Sequence, residues 1–575
     1  MKSRIKTGAS QWLPKSILAL KSYSRQDFVA DAVAGVTVGL VALPLAMAFG
    51  ISSGVTPQAG IYTAVIAGFL ISALGGSRTQ IGGPTGAFVV VIAAIIAKHG
   101  LSGLLMVTMM SGAILLFLGF TGLGNAVKFI PRPVVIGFTN GIAVLIASTQ
   151  IKDFLGFKTV DKMPSEFLER MHYIGEHILT TDLMTVLLAL VSLGIILIMP
   201  RITKRIPGSI VALLGANACV GIFGIPVETI GSKFGGIPTG FPQIQMPEFH
   251  ASLILPLLPS ALTVALLAAL ESLLSAVVAD SMSGDRHNSN VELVAQGVAN
   301  LAVPLFGGIP VTGAIARTAT NIRAGARSPF SGMIHALTLL CILLFAAPLA
   351  KFIPLGTLAS VLFVVAYNMG EWREIPLILR LNFKEISVWL ITFVLTVVAD
   401  LTIAVEVGMM LAALLYIYQV SRTTVVAPLT EETIGDAKNH FVQDQTIPSY
   451  ISMFHIQGPL LFGAAEKLKQ IAYDLEGLQP IVILRMRYMT AIDATGLHAI
   501  EQFYEQLHAS GRSLLMCGIR RQPKVLVNKS TLPRLIGERN ILPDIRSALC
   551  RAEDIHDQFD GLGDEAAADL AEAPV

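Results

Sequence analysis

Apolar residues fall into long blocks along this chain. One series lies near 28–50, 58–74, 84–97, 101–121, 130–149, 183–200 and 208–225. A second lies near 253–279, 291–306, 312–322, 329–350, 354–369, 386–400 and 402–420. Several blocks reach the roughly 20 residues an α-helix needs to cross a bilayer. The third block of each series, 84–97 and 312–322, is too short and opens on Gly and Pro. Seven segments followed by seven, with an interrupted third member in each set, is the pattern of an inverted-repeat transporter. The pattern predicts a polytopic α-helical membrane protein with fourteen segments. Transmembrane repeat 1 covers 27–225, an extracytoplasmic connection 226–252 and repeat 2 253–420, behind a cytoplasmic segment 1–26.

Local echoes support the repeat. "GGPTGAF" (Gly82–Phe88) is matched by "GIPVTGAI" (Gly308–Ile315), with Thr85 and Thr312 separated by 227 positions. At that same offset Leu40, Ala42 and Leu43 correspond to Leu267, Ala269 and Leu270. "FIP" recurs at Phe129–Pro131 and Phe352–Pro354, an offset of 223.

Beyond 420 the pattern changes. Residues 421–448 are polar and read as a linker. From 449 to 552, short strands ("ISMFHI", "IVILRM", "SLLMCGI") alternate with helical stretches at 463–475 and 496–509, the signature of a small α/β domain. The segment 553–575 holds eight acids and no Lys or Arg, and is expected to be a solvated, disordered tail.

Composition narrows the function. Of 575 residues, 53% are hydrophobic and only 14% charged, and the net charge of +2 gives no case for nucleic-acid binding. Cys219, Cys341, Cys517 and Cys550 are widely separated, and His287 has no second histidine at ligand spacing, so no metal or cofactor is expected. The basic N-terminus lacks the pattern of a cleaved signal peptide. Placing it in the cytoplasm puts Arg78, Lys128, Arg132, Arg201, Arg286, Arg323, Arg327, Arg373 and Arg380 on the same side, so both termini are expected inside the cell's inner (plasma) membrane. There is no GxxxxGK[ST], HExxH or supported GxSxG, and an enzyme is not expected.

The paired motifs carry the candidate chemistry. A broken helix in lipid exposes backbone N–H groups that cost several kcal/mol each unless satisfied. Pro84 and Pro310 suit helix starts, Gly86 and Gly313 allow close approach, and Thr85 and Thr312 supply hydroxyls. Two opposed helix N-termini, each with about half a positive charge, would hold an anion between them. Glu271, deep in the eighth block, and Arg317, in the short tenth, are costly in lipid and need a cavity or a partner. They form either a fixed ion pair or a functional couple, with Arg317 adding field for the anion and Glu271 binding the coupling cation or proton.

Three longer stretches bear a family resemblance. "DFVADAVAGVTVGLVALPLAMAFGISSGVTPQAGIYTA" (Asp27–Ala64) and "ESLLSAVVADSMSGDRHNSNVELVAQGVANLAVPLFGGIPVTGAIARTATNIRAG" (Glu271–Gly325) resemble the two signature regions of the SulP (sulfate permease) anion transporters. "MTAIDATGLHAI" (Met489–Ile500) resembles the centre of a STAS domain. The resemblance implies a core domain moving against a gate domain in an elevator-like cycle, and a homodimer in the lipid bilayer. It implies an anion held by Thr85, Gly86, Ala87, Thr312, Gly313 and Ala314, beside the Arg317 read above as adding field. Phe88 would line the cavity or pack in the core. Substrates in the family include sulfate, bicarbonate and C4-dicarboxylates. Glu271 and "AIARTATNIRAGA" are closest to the proton-coupled, dicarboxylate-type bacterial members. A sodium site completed by Ser275 is the alternative to proton coupling, with sodium-driven bicarbonate symport, uncoupled exchange or a channel as other transport readings. A sensor reporting anion occupancy through the STAS domain is the reading from another class. In that domain Asp493-Ala494-Thr495-Gly496 keeps one hydroxyl of a phosphorylatable helix start, making Thr495 a regulatory candidate; a helix cap, a dimer contact or a cytoplasmic protein partner are the other roles. The polar run Ala279–Gly297 suits helix capping.

Overall fold

The computed structural model describes residues 12–571, apart from 125–130, 159–162, 165, 204–206, 238–239, 242, 245, 249, 400, 429–446, 462–463 and 473–476. The chain forms two compact units, Met1–Met410 and Leu411–Val575.

The first unit is helical. Its elements are α1 (Lys15–Leu20), α2 (Arg25–Ser52), α3 (Pro57–Leu74), β1 (Gly82–Gly83), α4 (Gly86–Phe120), α5 (Arg132–Leu155), α6 (Phe167–His177), α7 (Leu183–Ile202), α8 (Gly208–Phe223) and α9 (Ile230–Phe234). There follow α10 (Ile254–Ser283), α11 (Ser289–Ala302), β2 (Thr312–Gly313), α12 (Ile315–Arg323), α13 (Phe330–Phe345), α14 (Leu355–Met369), α15 (Ile375–Ile378), α16 (Phe383–Val398) and α17 (Leu401–Thr423). Gly100, at φ 68°, breaks α4 into two arms, so the third and fourth apolar blocks meet at a sharp bend. With α4 counted as two, the fourteen expected segments are present in order, and α1, α6, α9 and α15 are short additions.

Packing follows the repeat. Helix α2 packs on α13 as α10 packs on α4, and α3 packs on α13 as α11 packs on α4. In segment numbers these are 1 on 11 and 8 on 4, then 2 on 11 and 9 on 4, each pair exchanged by a shift of seven. Pro131 and Pro354, the ends of the two "FIP" echoes, open α5 and α14 as their N-caps. Small residues set the contacts, as lipid offers little hydrophobic drive between helices. A Cβ on Gly35 or Gly39 of α2 would strike Ile334 or Thr338 of α13. A Cβ on Gly137 or Gly141 of α5 would strike the Trp389 carbonyl or Thr396 of α16.

Buried polar groups then join the halves. Asp31 of α2 accepts from the Arg327 and Ser328 amides at 2.7 and 3.1 Å and from the Ser328 hydroxyl and the Tyr23 phenol. Glu292 of α11, fully buried, accepts from the Gly76 and Ser77 amides at 2.9 and 3.2 Å and from Gln296 at 3.1 Å. Two turns on from Glu292, Asn300 bridges the Val311 amide and carbonyl, and Thr63 accepts from the Ile309 amide at 2.8 Å. The polar run 279–297 acts as capping predicts: Asn288 caps α11, and Asp280 accepts from the His287 amide and ring.

The second unit carries a five-stranded sheet in the order β3 (Val425–Pro428), β4 (Ile451–Leu460), β5 (Ile481–Ile492), β6 (Ser513–Cys517), β7 (Ile541–Leu542). Strand β3 is antiparallel to β4 and the others run parallel. The Ala494–Ala509 helix covers one face, packing on Val482, Leu484 and Met516; the Ile545–Ala571 helix covers the other, on Ile481, Ile483 and Leu515.

Two boundaries differ from the sequence reading. The expected linker 421–448 begins instead with the end of α17 and with β3, because Val425 and Val426 can complete a sheet edge; its residues 429–446 lie outside the described residues. The tail expected to be disordered from 553 is helical to Ala571, since its Ala, Glu and Leu content favours helix despite the charge.

Replacing Glu292 with Leu leaves the Gly76 and Ser77 amides buried without an acceptor, at roughly 1–3 kcal/mol each. A clear fall in the thermal unfolding temperature of the detergent-solubilised protein is expected, measured by fluorescence-detected size exclusion, with Glu292→Gln falling less.

Candidate functional site

The two short strands create the site. β1 and β2 pair antiparallel, Gly82 opposite Gly313 and Gly83 opposite Thr312, and the Ala314 amide donates to the Ile81 carbonyl at 2.8 Å. This pairing satisfies backbone groups that neither broken helix can satisfy itself. It also brings together the starts of α4 and α12, which leave the crossing in opposite directions. Neither start has a side-chain cap: the Thr85 hydroxyl makes no bond to the first turn of α4, and α12 begins after Ala314, which has no acceptor. The Phe88 amide donates to the Thr85 carbonyl at 3.3 Å, and the other first-turn N–H groups of the two helices have no side-chain cap.

Three predicted side chains meet here. The Thr85 hydroxyl donates to Glu271 Oε2 at 3.0 Å. Arg317 reaches across the crossing to donate from Nη2 to the Pro84 carbonyl. Arg317 as a whole is 2% exposed, and its Nη1 has no hydrogen-bond partner. Glu271 and Arg317 form no ion pair, so the fixed-pair expectation does not hold: each is held by an element of the opposite repeat. Gly83 has φ 150°, and a Cβ there would lie 2.5 Å from Arg317 Nη1, so glycine is what admits the guanidinium.

Other predicted residues are placed differently. Thr312 is fully buried and donates to the Ala268 carbonyl of α10 at 2.8 Å, fastening β2 to that helix. Gly313 lies against Gln80, whose amide donates to the Ser272 hydroxyl at 2.9 Å. Ser275 is fully buried and donates to Thr318 Oγ1 at 3.1 Å rather than to Glu271. Phe88 is fully buried in the apolar core, and so is Ala87. Gly86 faces Phe49, Ile146 and Met369. Ala314 is buried, whereas Ile315 and Ala316 beside it are exposed. The prolines are not at the first helical position: Pro84 is two residues before α4, with the extended Thr85 between, and Pro310 is five before α12, with β2 between.

Residues that sequence reasoning passed over support this arrangement. Gln80, Ser272 and Thr318 tie β1 to α10 and α12, with Thr318 Oγ1 accepting from the Ile81 amide at 3.0 Å. Asn321 donates to the Thr79 carbonyl at 2.9 Å. Only the neighbouring α11 set carried a signal, the i, i+4, i+8 spacing of Glu292, Gln296 and Asn300 within an apolar block.

Residues 28–392 match the sulfate permease family. The chain belongs to that family. Residues 442–548 match the STAS domain, so this sulfate permease family member combines a membrane unit with a C-terminal STAS domain. The family consists of anion transporters, not enzymes. Among its relatives, YvdB of Bacillus subtilis strain 168, provisionally named a sulfate transporter, is 42% identical over 90% of this chain and 97% of its own. The bicarbonate transporter BicA of Synechocystis sp. PCC 6803 is 32% identical over 90% of this chain and 93% of its own. The solved transmembrane domain of a cyanobacterial BicA matches with a TM-score of 0.60 at 34% identity, covering 68% of this chain and 98% of that one. The murine Slc26a9 anion transporter, solved in an inward-facing state, shares the fold, with a TM-score of 0.84 over 96% of both chains at 18% identity.

In the STAS domain of this family member, Asp493 caps the Ala494–Ala509 helix, accepting from the Gly496 amide at 2.8 Å, and Thr495 is exposed beside it.

Gly83→Ala should displace the Arg317 guanidinium and strain β1. We expect a lower unfolding temperature than for Gly100→Ala, whose Cβ would meet no neighbour though its backbone is also left-handed. Equal stability of the two variants would count against the fit of Arg317 to Gly83.

Proposed function

We propose that this protein is a secondary active transporter of small anions, of the sulfate, bicarbonate or C4-dicarboxylate class, and that it couples their uptake to protons. The observation that carries this reading is the buried Arg317 with an unpartnered Nη1 beside two uncapped helix starts. Burying a cationic donor without a partner is costly, and an anion between the helix starts relieves that cost. The substrate lies against the first turns of α4 and α12, near Thr85, Gly86, Ala87, Gly313, Ala314 and Arg317. Thr312 and Phe88 act indirectly, by fastening the strand and packing the half-helix.

Glu271 is the proton carrier. It touches the same crossing through Thr85, so its protonation is sensed where the anion binds. Ser275 donates its hydroxyl to Thr318 rather than facing Glu271, which favours a proton over sodium. Leu274, Val277 and Ser281, which follow Glu271 at helical spacing on α10, are exposed, as are Ile315 and Ala316. The cycle is elevator-like: the helices held by the crossing move as a body against α5 and α14, in a homodimer of the inner membrane with both termini cytoplasmic. Thr495, exposed at a helix start, is a phosphorylation or partner site.

The test is uptake into liposomes of radiolabelled sulfate, bicarbonate and succinate, with proton and sodium gradients imposed separately. An acidic exterior should drive uptake of at least one anion. Glu271→Gln should abolish that stimulation, and Arg317→Gln should reduce uptake of the same anion at least tenfold. Unchanged stimulation in Glu271→Gln would remove Glu271 from coupling, and saturable anion binding without flux would replace transport by sensing.

A further inference from the structure

The membrane unit buries one ionisable ring that the cycle above does not use. His335, in the second turn of α13, is fully buried, and neither of its ring nitrogens has a hydrogen-bond partner among the described residues. Leaving such a ring unbonded in the interior is costly. Glycine makes room for it. A Cβ on Gly68 of α3 would lie 3.2 Å from His335 Nδ1, and the Gly82 carbonyl is 3.6 Å from that same point, so the ring stands against β1. The Gly332 backbone, one turn back, is also close enough to interact with it.

Among the described residues, Arg317 is the one charged group that acts on this imidazole. On α2, Gly39 faces His335, and Asp31 lies two turns away, bonded to Arg327, Ser328 and Tyr23. Helix α3 has no charged residue, and its phenol, Tyr62, is six positions from Gly68. Glu292 of α11 is held by the Gly76 and Ser77 amides, and Lys351 lies beyond the far end of α13. A polar column leads away from the ring. Ser72 Oγ sits against Gly332, and Ser72 Oγ, Thr79 Oγ1 and Asn321 Oδ1 are all buried without partners. Asn321 ties the column together, donating to the Thr79 carbonyl at 2.9 Å and the Ser331 hydroxyl at 2.8 Å. Thr79 also lines a polar cavity of about 400 Å3 beside α1, with Asp27, Arg78, Asp285 and Arg327. In the orientation proposed above, that cavity faces the cytoplasm.

We propose that His335 is a second proton-binding residue of the transport cycle, which takes up a proton as the anion binds and releases it to the cytoplasm along the Ser72–Thr79 column. This rests on the proton-coupled transport reading. A second cation behind Arg317 is unfavourable while the site is empty, and an anion at the starts of α4 and α12 offsets both charges. Anion and proton then bind cooperatively, each raising the affinity for the other by the same factor. When the anion leaves, the repulsion from Arg317 returns and the ring nitrogen gives its proton back to solvent. Glu271 is linked to the same crossing through Thr85, so the two groups load together from different sides of it.

The experiment measures affinity against pH by calorimetry, using the full-length protein in nanodiscs and sulfate, fumarate and bicarbonate as probes, with bicarbonate's own titration subtracted. It is repeated with Glu271→Gln, His335→Gln and Gly68→Ala. Each proton taken up with the anion makes affinity fall by up to about tenfold per unit rise in pH. Around pH 6.5, about the ordinary midpoint of an imidazole, the original protein should show a slope above one proton. His335→Gln should lose roughly one proton from that slope, a change of up to about tenfold per pH unit, while still binding the anion. Gly68→Ala keeps the imidazole but crowds Nδ1, and should move the profile along the pH axis, which a purely structural histidine would not do. An unchanged slope in His335→Gln, or an unmoved profile in Gly68→Ala, overturns this assignment alone. Affinity independent of pH in the original protein, or no binding of any of the three anions, overturns it together with the proton-coupled reading.

Discussion

In the hydrocarbon of a bilayer, an unpaired backbone amide has no water to turn to, and that constraint organises the membrane unit. Two helices are interrupted near the same place, and the exposed backbone of each is satisfied by the other through a four-residue antiparallel pairing, Gly82–Gly83 with Thr312–Gly313. Everything at the candidate site descends from this. The pairing places two helix starts side by side, lets Arg317 cross from one repeat to the other, and sets Thr85 against Glu271. Glycine is required at Gly83 because a side chain would take the space of the guanidinium.

A second layer of polar contacts holds the crossing in place. Gln80, Ser272 and Thr318 fix β1 to α10 and α12, and Glu292 fixes the preceding turn at Gly76 and Ser77. These residues sit in positions that would be unfavourable alone in lipid, yet each is bonded within the unit. The candidate pair Glu271 and Arg317 differs: each has a single hydrogen bond, from the opposite repeat, and no ion pair between them. Gln80, Ser272, Thr318 and Glu292 are each tied into the unit by at least two bonds, although Gln80 Oε1 is left without a partner; Glu271 and Arg317 have one bond each.

Much of this was legible in the residues. Segment count and order followed from apolar block lengths, and the site from the repeated Pro-Thr-Gly, because lipid penalises irregular backbone strongly enough for the exceptions to stand out. Less legible was what each hydroxyl bonds. Thr85 and Thr312 are equivalent by repeat, but one meets a carboxylate and the other a helix carbonyl, since α10 lies against both and presents Glu271 to one and Ala268 to the other. Ser275 lies one turn from Glu271 on α10, but its hydroxyl is taken by Thr318. In the second unit, β3 was hidden in a polar stretch because four residues suffice at a sheet edge, and the acidic tail's helical bias was outweighed in the reading by its charge.

The bonds between Asp31 and Ser328, Thr63 and Ile309, and Gly76 and Glu292 each link residues more than 200 positions apart. During synthesis, the first repeat therefore enters the membrane with its acceptors and amides unmatched, and stays so until translation has passed position 328. That interval is a vulnerability: a ribosome stalled between the repeats would leave an inserted fragment whose polar groups have only quality-control machinery, or a second fragment, to meet.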